Sequence, residues 1–146
     1  MPLSKHYLDT HTQTITFEPE ALGKALSDAL PEVRFAVLMG SSVSGQVAPH
    51  SDVDIAFFTE GKVDMDFYNR VFDVCKDFFP GVRVDIGMLN GCEPVYGFEA
   101  LKGRLLFCRD RETYLRFFSV TSREYKHQMF HYEKQMRYRM EARGEV

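Results

Sequence analysis

The sequence predicts an α/β (α+β) fold, a small mixed sheet flanked by helices, from three observations. Short apolar runs are closed by glycine or proline, segments of helical period lie between them, and the chain ends in a long charged stretch. The order along the chain is helix, strand, short helix, strand, helix, strand, then helical elements. No internal repeat or low-complexity linker interrupts it, and 146 residues is about one domain. The expectation is a single domain over 1–146, with a core over about 33–108 and a C-terminal helical segment over about 110–142.

Residues 11–17 (HTQTITF) alternate weakly and are rich in threonine, as in a short strand or an extended lead-in. Pro19 stands where a helix can begin, and ALGKALSDAL carries apolar residues at helical spacing to Leu30, where Pro31 ends it. Residues 34–39 (RFAVLM), closed by Gly40, read as a buried strand. The small, polar SSVSGQVAPHS has room for one or two helical turns and then a loop. Strand character resumes over 52–59 (DVDIAFFT). Residues 64–79 place Met65, Tyr68, Val71, Phe72, Cys75, Phe78 and Phe79 at helical intervals before Pro80-Gly81. Residues 82–89 (VRVDIGML) are the next strand, 94–101 a short helix, and RLLFCR after Gly103 the last strand. From about Asp110 the chain is charged and helical.

Composition excludes several classes. No apolar run approaches the roughly 20 residues needed to span a bilayer. Met1–Thr10 mixes Lys5, His6 and Asp9 with few apolar residues, so no signal peptide is expected and the cytoplasm is the default. Cys75, Cys92 and Cys108 match neither a zinc pattern nor a disulfide framework and read as reduced core thiols. A net charge of −3 argues against broad binding to nucleic-acid phosphate.

Three features carry chemistry together. Gly40-Ser41 closes a buried strand, Ser51-Asp52-Val53-Asp54 opens the next, and Asp85 stands between Val84 and Ile86 in what reads as a central strand. On a strand, Asp52 and Asp54 point the same way, roughly 7 Å apart along the chain, and Asp85 joins that face if its strand pairs alongside. Three anions in a partly buried place need a proton or a cation between them, and hard Mg²⁺ prefers such oxygen donors together with substrate phosphates. Gly40 lets the backbone approach a bulky anion. The Ser41 and Ser42 amides, at a helix start, and the Ser41 hydroxyl supply phosphate donors. His50, just before Ser51, reads as a loop histidine.

GSSVSGQVAPHSDVDI resembles the signature of the DNA polymerase β-like nucleotidyltransferase superfamily in its minimal nucleotidyltransferase (MNT) branch, over about residues 33–90. The stretch EPVYGFEALKGRLLFCRDRETYLRFF is similar to the same branch. The whole chain resembles the MNT antitoxins, of the MntA kind, encoded beside HEPN-domain toxins. The resemblance implies a polymerase β-like fold and an adenylyltransferase that transfers AMP from ATP to tyrosine of a HEPN ribonuclease. It implies two Mg²⁺ ions held by Asp52, Asp54 and Asp85, and nucleotide contacts at Gly40, Ser41, Ser42 and Ser51. The arginine or lysine on the phosphate side stays open among Arg34, Lys62 and Arg83.

Two other functions compete with this one. One is an antitoxin that masks its partner by binding alone, which the full set of aspartates disfavours. The other is a small-molecule nucleotidyltransferase, which would call for a further substrate domain. The tail also reads two ways. Phe117, Phe118, Tyr125, Met129, Phe130, Tyr132, Met136 and Tyr138 share a broad helical face among basic residues. That face either packs on the sheet or meets a cognate protein or a second copy of the chain.

Overall fold

The computed structural model describes residues 11–144, so the reading of Met1–Thr10 lies outside the described residues. The elements run β1 (Ile15–Thr16), α1 (Pro19–Ala29), β2 (Val33–Met39), a short 3₁₀ turn (Gly40–Ser44) and β3 (Gln46–Val47). They continue as β4 (Val53–Thr59), α2 (Met65–Phe78), β5 (Val84–Met88), α3 (Pro94–Leu101), β6 (Arg104–Cys108) and α4 (Arg111–Ala142). Proline opens α1 and α3, where its missing N–H costs nothing. Aspartates cap the other two helices: Asp64 accepts from the Phe67 amide at 3.2 Å and Asp110 from the Thr113 amide at 3.1 Å.

The main sheet has the order β5-β4-β2-β6, parallel between β4 and β5 and antiparallel elsewhere, so it is mixed as expected. One expectation fails. The strand carrying Asp85 is an edge strand, not a central one, and Asp85 is exposed. Its apolar neighbours Val84 and Ile86 mislead because they point to the opposite face, where they pack against the main core. The two-residue strand at Gln46–Val47, inside a segment read as loop, pairs with β1 through Ile15↔Val47 and Thr16↔Gln46.

Alternation along the strands makes two cores. Val53, Ile55 and Phe57 face Leu22 and Leu26 of α1 and Phe67 and Val71 of α2. Phe35, Val37 and Ala56 face Ala100 of α3 and Tyr114 and Phe117 of α4. Asp54, between Val53 and Ile55, therefore belongs to the α3/α4 face. Cys75 lies in the first core, where burial pushes its thiol up to about 12. Cys92 and Cys108 are half-buried, and all three thiols are free.

Polar clamps fasten the layers. Arg70 of α2 holds Glu32 with two guanidinium hydrogen bonds of 2.8 and 2.6 Å, and this contact lowers the Glu32 pKa. Arg109 donates to the Val33 carbonyl and to the Ser27 carbonyl at 2.6 Å, closing the end of α1.

The 32 residues of α4 span about 48 Å, longer than the sheet can cover. The reading of the tail as packing on the body holds for its first half. Tyr114, Phe117 and buried Thr121 pack on the body, and Tyr125 stacks on Phe98 with ring centroids 3.9 Å apart. Beyond Phe130 every described side chain is exposed. Among the described residues, no helix is long and apolar enough to cross a membrane.

Candidate active site

The register of the sheet assembles the site. The antiparallel β2–β4 ladder sets Met39 opposite Asp54, so Gly40 emerges beside that carboxylate. Gly40 has φ +74°, a left-handed backbone that side chains rarely adopt, and an added Cβ would lie 3.2 Å from Asp54 Oδ2. The turn and the carboxylate are thus neighbours by construction. On the other side, the parallel β4–β5 ladder pairs Asp54 directly with Asp85.

Electrostatics follow from that pairing. Burial, then a hydrogen bond with Asp85, then the charges of Asp85 and Asp52 raise the pKa of Asp54. Only Asp54 is partly buried. Asp52 precedes β4 by one residue and is exposed, and Asp85 is exposed on the edge, with Arg83 Nε 3.4 Å from its Oδ1. The expected partly buried trio is therefore a close Asp54–Asp85 pair with Asp52 near enough to act by charge. Among the described residues, no group of three acid, histidine or cysteine side chains closes into a metal cage. An all-oxygen donor set whose partners repel unless a cation or proton joins them suits Mg²⁺, which takes one or two carboxylates and completes its shell with water and phosphate.

The predicted nucleotide-side residues divide. Ser41 is exposed at the start of the 3₁₀ turn, with its amide among the orphan donors of a helix start. Ser42 is buried, and its hydroxyl donates to the Met39 carbonyl at 3.4 Å, so that side chain braces the turn. Ser51 is half-buried and its amide donates to the Ala48 carbonyl at 3.0 Å, tightening the loop into Asp52. His50 has φ 63°, and its amide donates to the His11 carbonyl. A 2.8 Å bond from the Phe17 amide to the Gly45 carbonyl ties the turn to the β1–β3 ladder.

Of the cations left open by the sequence, Arg34 and Lys62 lie at the far end of the sheet. Arg34 pairs with Glu60 at 2.6 Å, and Lys62 follows the end of β4. Arg83 stands at the carboxylate end. Sequence reasoning missed Arg104, which lies opposite Leu38 and donates to the Val43 carbonyl of the turn at 3.4 Å. Only the β2–β6 pairing brings it there.

Replacing Gly40 by alanine is expected to cost about 1 kcal/mol of stability, the scale of a side chain forced into left-handed backbone. It should also weaken nucleotide binding at least about tenfold, because the methyl enters the space beside Asp54. Calorimetric titration with ATP and Mg²⁺ checks this, and unchanged affinity would remove Gly40 from the site.

Comparison with known proteins is consistent with this geometry. The family model described as polymerase beta, nucleotidyltransferase matches residues 20–112. No curated protein sequence matches the chain. Among solved structures, the fold is similar to a mutant MntA–HpeT toxin–antitoxin chain (TM-score 0.63, 18% identity, covering 84% of this chain and 98% of that one). It is similar to a chain of the tri-AMPylated Shewanella oneidensis HEPN toxin in complex with MNT antitoxin (TM-score 0.60, 18% identity, 84% and 99% covered). It is also similar to a toxin–antitoxin chain solved with AMP-PNP (TM-score 0.61, 22% identity, 80% and 94% covered).

Proposed function

This chain belongs to the polymerase β nucleotidyltransferase family, and we propose that it is a magnesium-dependent protein adenylyltransferase, the antitoxin of a HEPN–MNT pair. In this reading it transfers AMP from ATP to a tyrosine of a HEPN-domain toxin and so neutralises it. The observation that carries the reading is the direct Asp54–Asp85 pairing beside Gly40. The similar structures that hold a HEPN toxin or an ATP analogue support the choice of partner and nucleotide.

Asp52, Asp54 and Asp85 are the residues that would hold Mg²⁺, which when bound neutralises phosphate charge and makes an attacking hydroxyl more acidic. The turn from Gly40 to Ser42 holds the β- and γ-phosphates through its amides and the Ser41 hydroxyl. Asp85 takes the proton of the acceptor hydroxyl. The acceptor oxygen bonds to the α-phosphorus, the bond from that phosphorus to the β-phosphate bridging oxygen breaks, and pyrophosphate leaves. Positioning and charge neutralisation supply most of the rate. Exposed Asp52 and Asp85 leave the site open on one side, which suits a macromolecular acceptor that itself excludes water. A tyrosine acceptor suits the chemistry because a phenol, with a pKa near 10, ionises more easily than an aliphatic hydroxyl.

The test is intact mass spectrometry of a HEPN-domain candidate partner incubated with this protein, ATP and Mg²⁺. A mass gain of one or more AMP units, mapped to tyrosine, is expected. Tight binding with no adduct would replace this reading with simple masking, and label on a small-molecule acceptor would replace the acceptor class.

A further inference from the structure

We propose that Tyr96 positions the acceptor hydroxyl, an inference that rests on the nucleotidyl-transfer reading and extends it to the acceptor side of the site. Three observations carry it. The first is Gly87. It lies two residues after Asp85 on the same face of β5, in register with Ala56 as Asp85 is with Asp54. Glycine inside a strand weakens it and often marks a close approach by another group. Here that group is the Tyr96 phenol, since a methyl on Gly87 would overlap the Tyr96 hydroxyl.

The second observation concerns the hydroxyl itself. Tyr96 lies in the first turn of α3 with its side chain 36% exposed, and its hydroxyl end lies over the backbone of β5 at Gly87. Gly87 stands two residues from Asp85 on the same face of β5, so the Tyr96 hydroxyl lies on the carboxylate face of the sheet.

The third is the order of the strands. The phosphate-holding turn follows β2, Asp54 stands on β4, and Asp85 and Gly87 stand on β5. In-line displacement needs the leaving and attacking oxygens on opposite sides of phosphorus. With pyrophosphate leaving on the β2 side, the acceptor enters from the β5 side, where Tyr96 is. An acceptor hydroxyl has one proton and two lone pairs. The proton faces Asp85, one lone pair accepts from the Tyr96 hydroxyl, and the other faces phosphorus.

The test uses Tyr96→Phe, which keeps the ring, and Gly87→Ala, which keeps the tyrosine but displaces its tip. The acceptor is a HEPN-domain protein that passes the mass test above. For both variants the acceptor KM should rise, or kcat fall, about tenfold. The ATP dissociation constant measured without acceptor should stay within about twofold. Wild-type acceptor kinetics in Tyr96→Phe overturn the proposal, as does an equal loss of ATP affinity, which indicates a structural role. Nucleotide found on Tyr96 itself overturns it too, making Tyr96 an acceptor. If the wild-type protein labels no acceptor, the parent reading and this one fail together. If it labels one and Tyr96→Phe is indifferent, only this inference fails.

Discussion

Replacing Asp54 by asparagine is expected to lower nucleotidyl transfer by at least about 10³-fold while making the metal-free protein more stable at neutral pH. The loss of activity follows from position. Asp54 is the carboxylate in register with Asp85 and against Gly40, so under the proposed function both the carboxylates that would hold Mg²⁺ and the turn that would hold phosphate depend on it. The gain in stability follows from charge. Burial and its acidic neighbours hold the Asp54 pKa above the ordinary 3.8. A carboxyl group whose pKa is raised on folding favours the folded state while it is protonated. That contribution is lost as pH rises through the raised value. At neutral pH the ionised group is a net cost, and asparagine removes it.

The relief should be about 0.5–1 kcal/mol, on the scale of partly exposed charge pairs, or about 1–4 °C in melting temperature. Adding Mg²⁺ should stabilise the wild-type protein, and more weakly as protons compete at acid pH, while leaving the asparagine variant unmoved. Scanning calorimetry at several pH values, with and without Mg²⁺, reads all of these. A metal-free variant less stable than the wild type would mean that Asp54 is held by favourable contacts, and the account of a strained acid pair would be wrong.

Phe35→Ala should cost about 3–5 kcal/mol, a large part of the stability of a domain this size. Phe35 is fully buried in the second core. Its ring lies 5.2 Å from that of Phe58, 5.1 Å from Tyr114 and 5.5 Å from Phe117, so it joins β2 to β4 and to the first turns of α4. Truncation leaves a cavity that three aromatic rings cannot fill by small shifts. Urea denaturation measures the cost directly. A loss below about 1 kcal/mol would show that α4 is not seated on this face.

The elements were legible in the sequence because each carries its own local signal. Pro19 and Pro31 bracket α1, the apolar run before Gly40 is β2, and the spacing from Met65 to Phe78 is α2. The two-residue β3 escaped because it has too few residues for any period to show and exists only through its partner β1. The candidate site was legible as far as chemistry is local. Gly40-Ser41 and Asp52-x-Asp54 announce themselves by residue type and by their place at strand ends. Arg104 and Tyr96 did not, because an arginine in a strand and a tyrosine in a short helix are ordinary until pairing and packing bring them to the site.

By itself, then, the sequence determined which residues could bear the chemistry and what secondary structure carries them, since periodicity, capping and backbone freedom act over a few neighbours. The tertiary structure alone decided who meets whom. Strand order placed Asp85 on an exposed edge rather than in the centre, register set it against Asp54, and the missing side chain of Gly87 admitted Tyr96. The same division holds for α4, whose apolar face looks uniform along the chain but is covered only as far as the body extends. Pairings between distant segments depend on the packing of the whole sheet, and no local pattern encodes them.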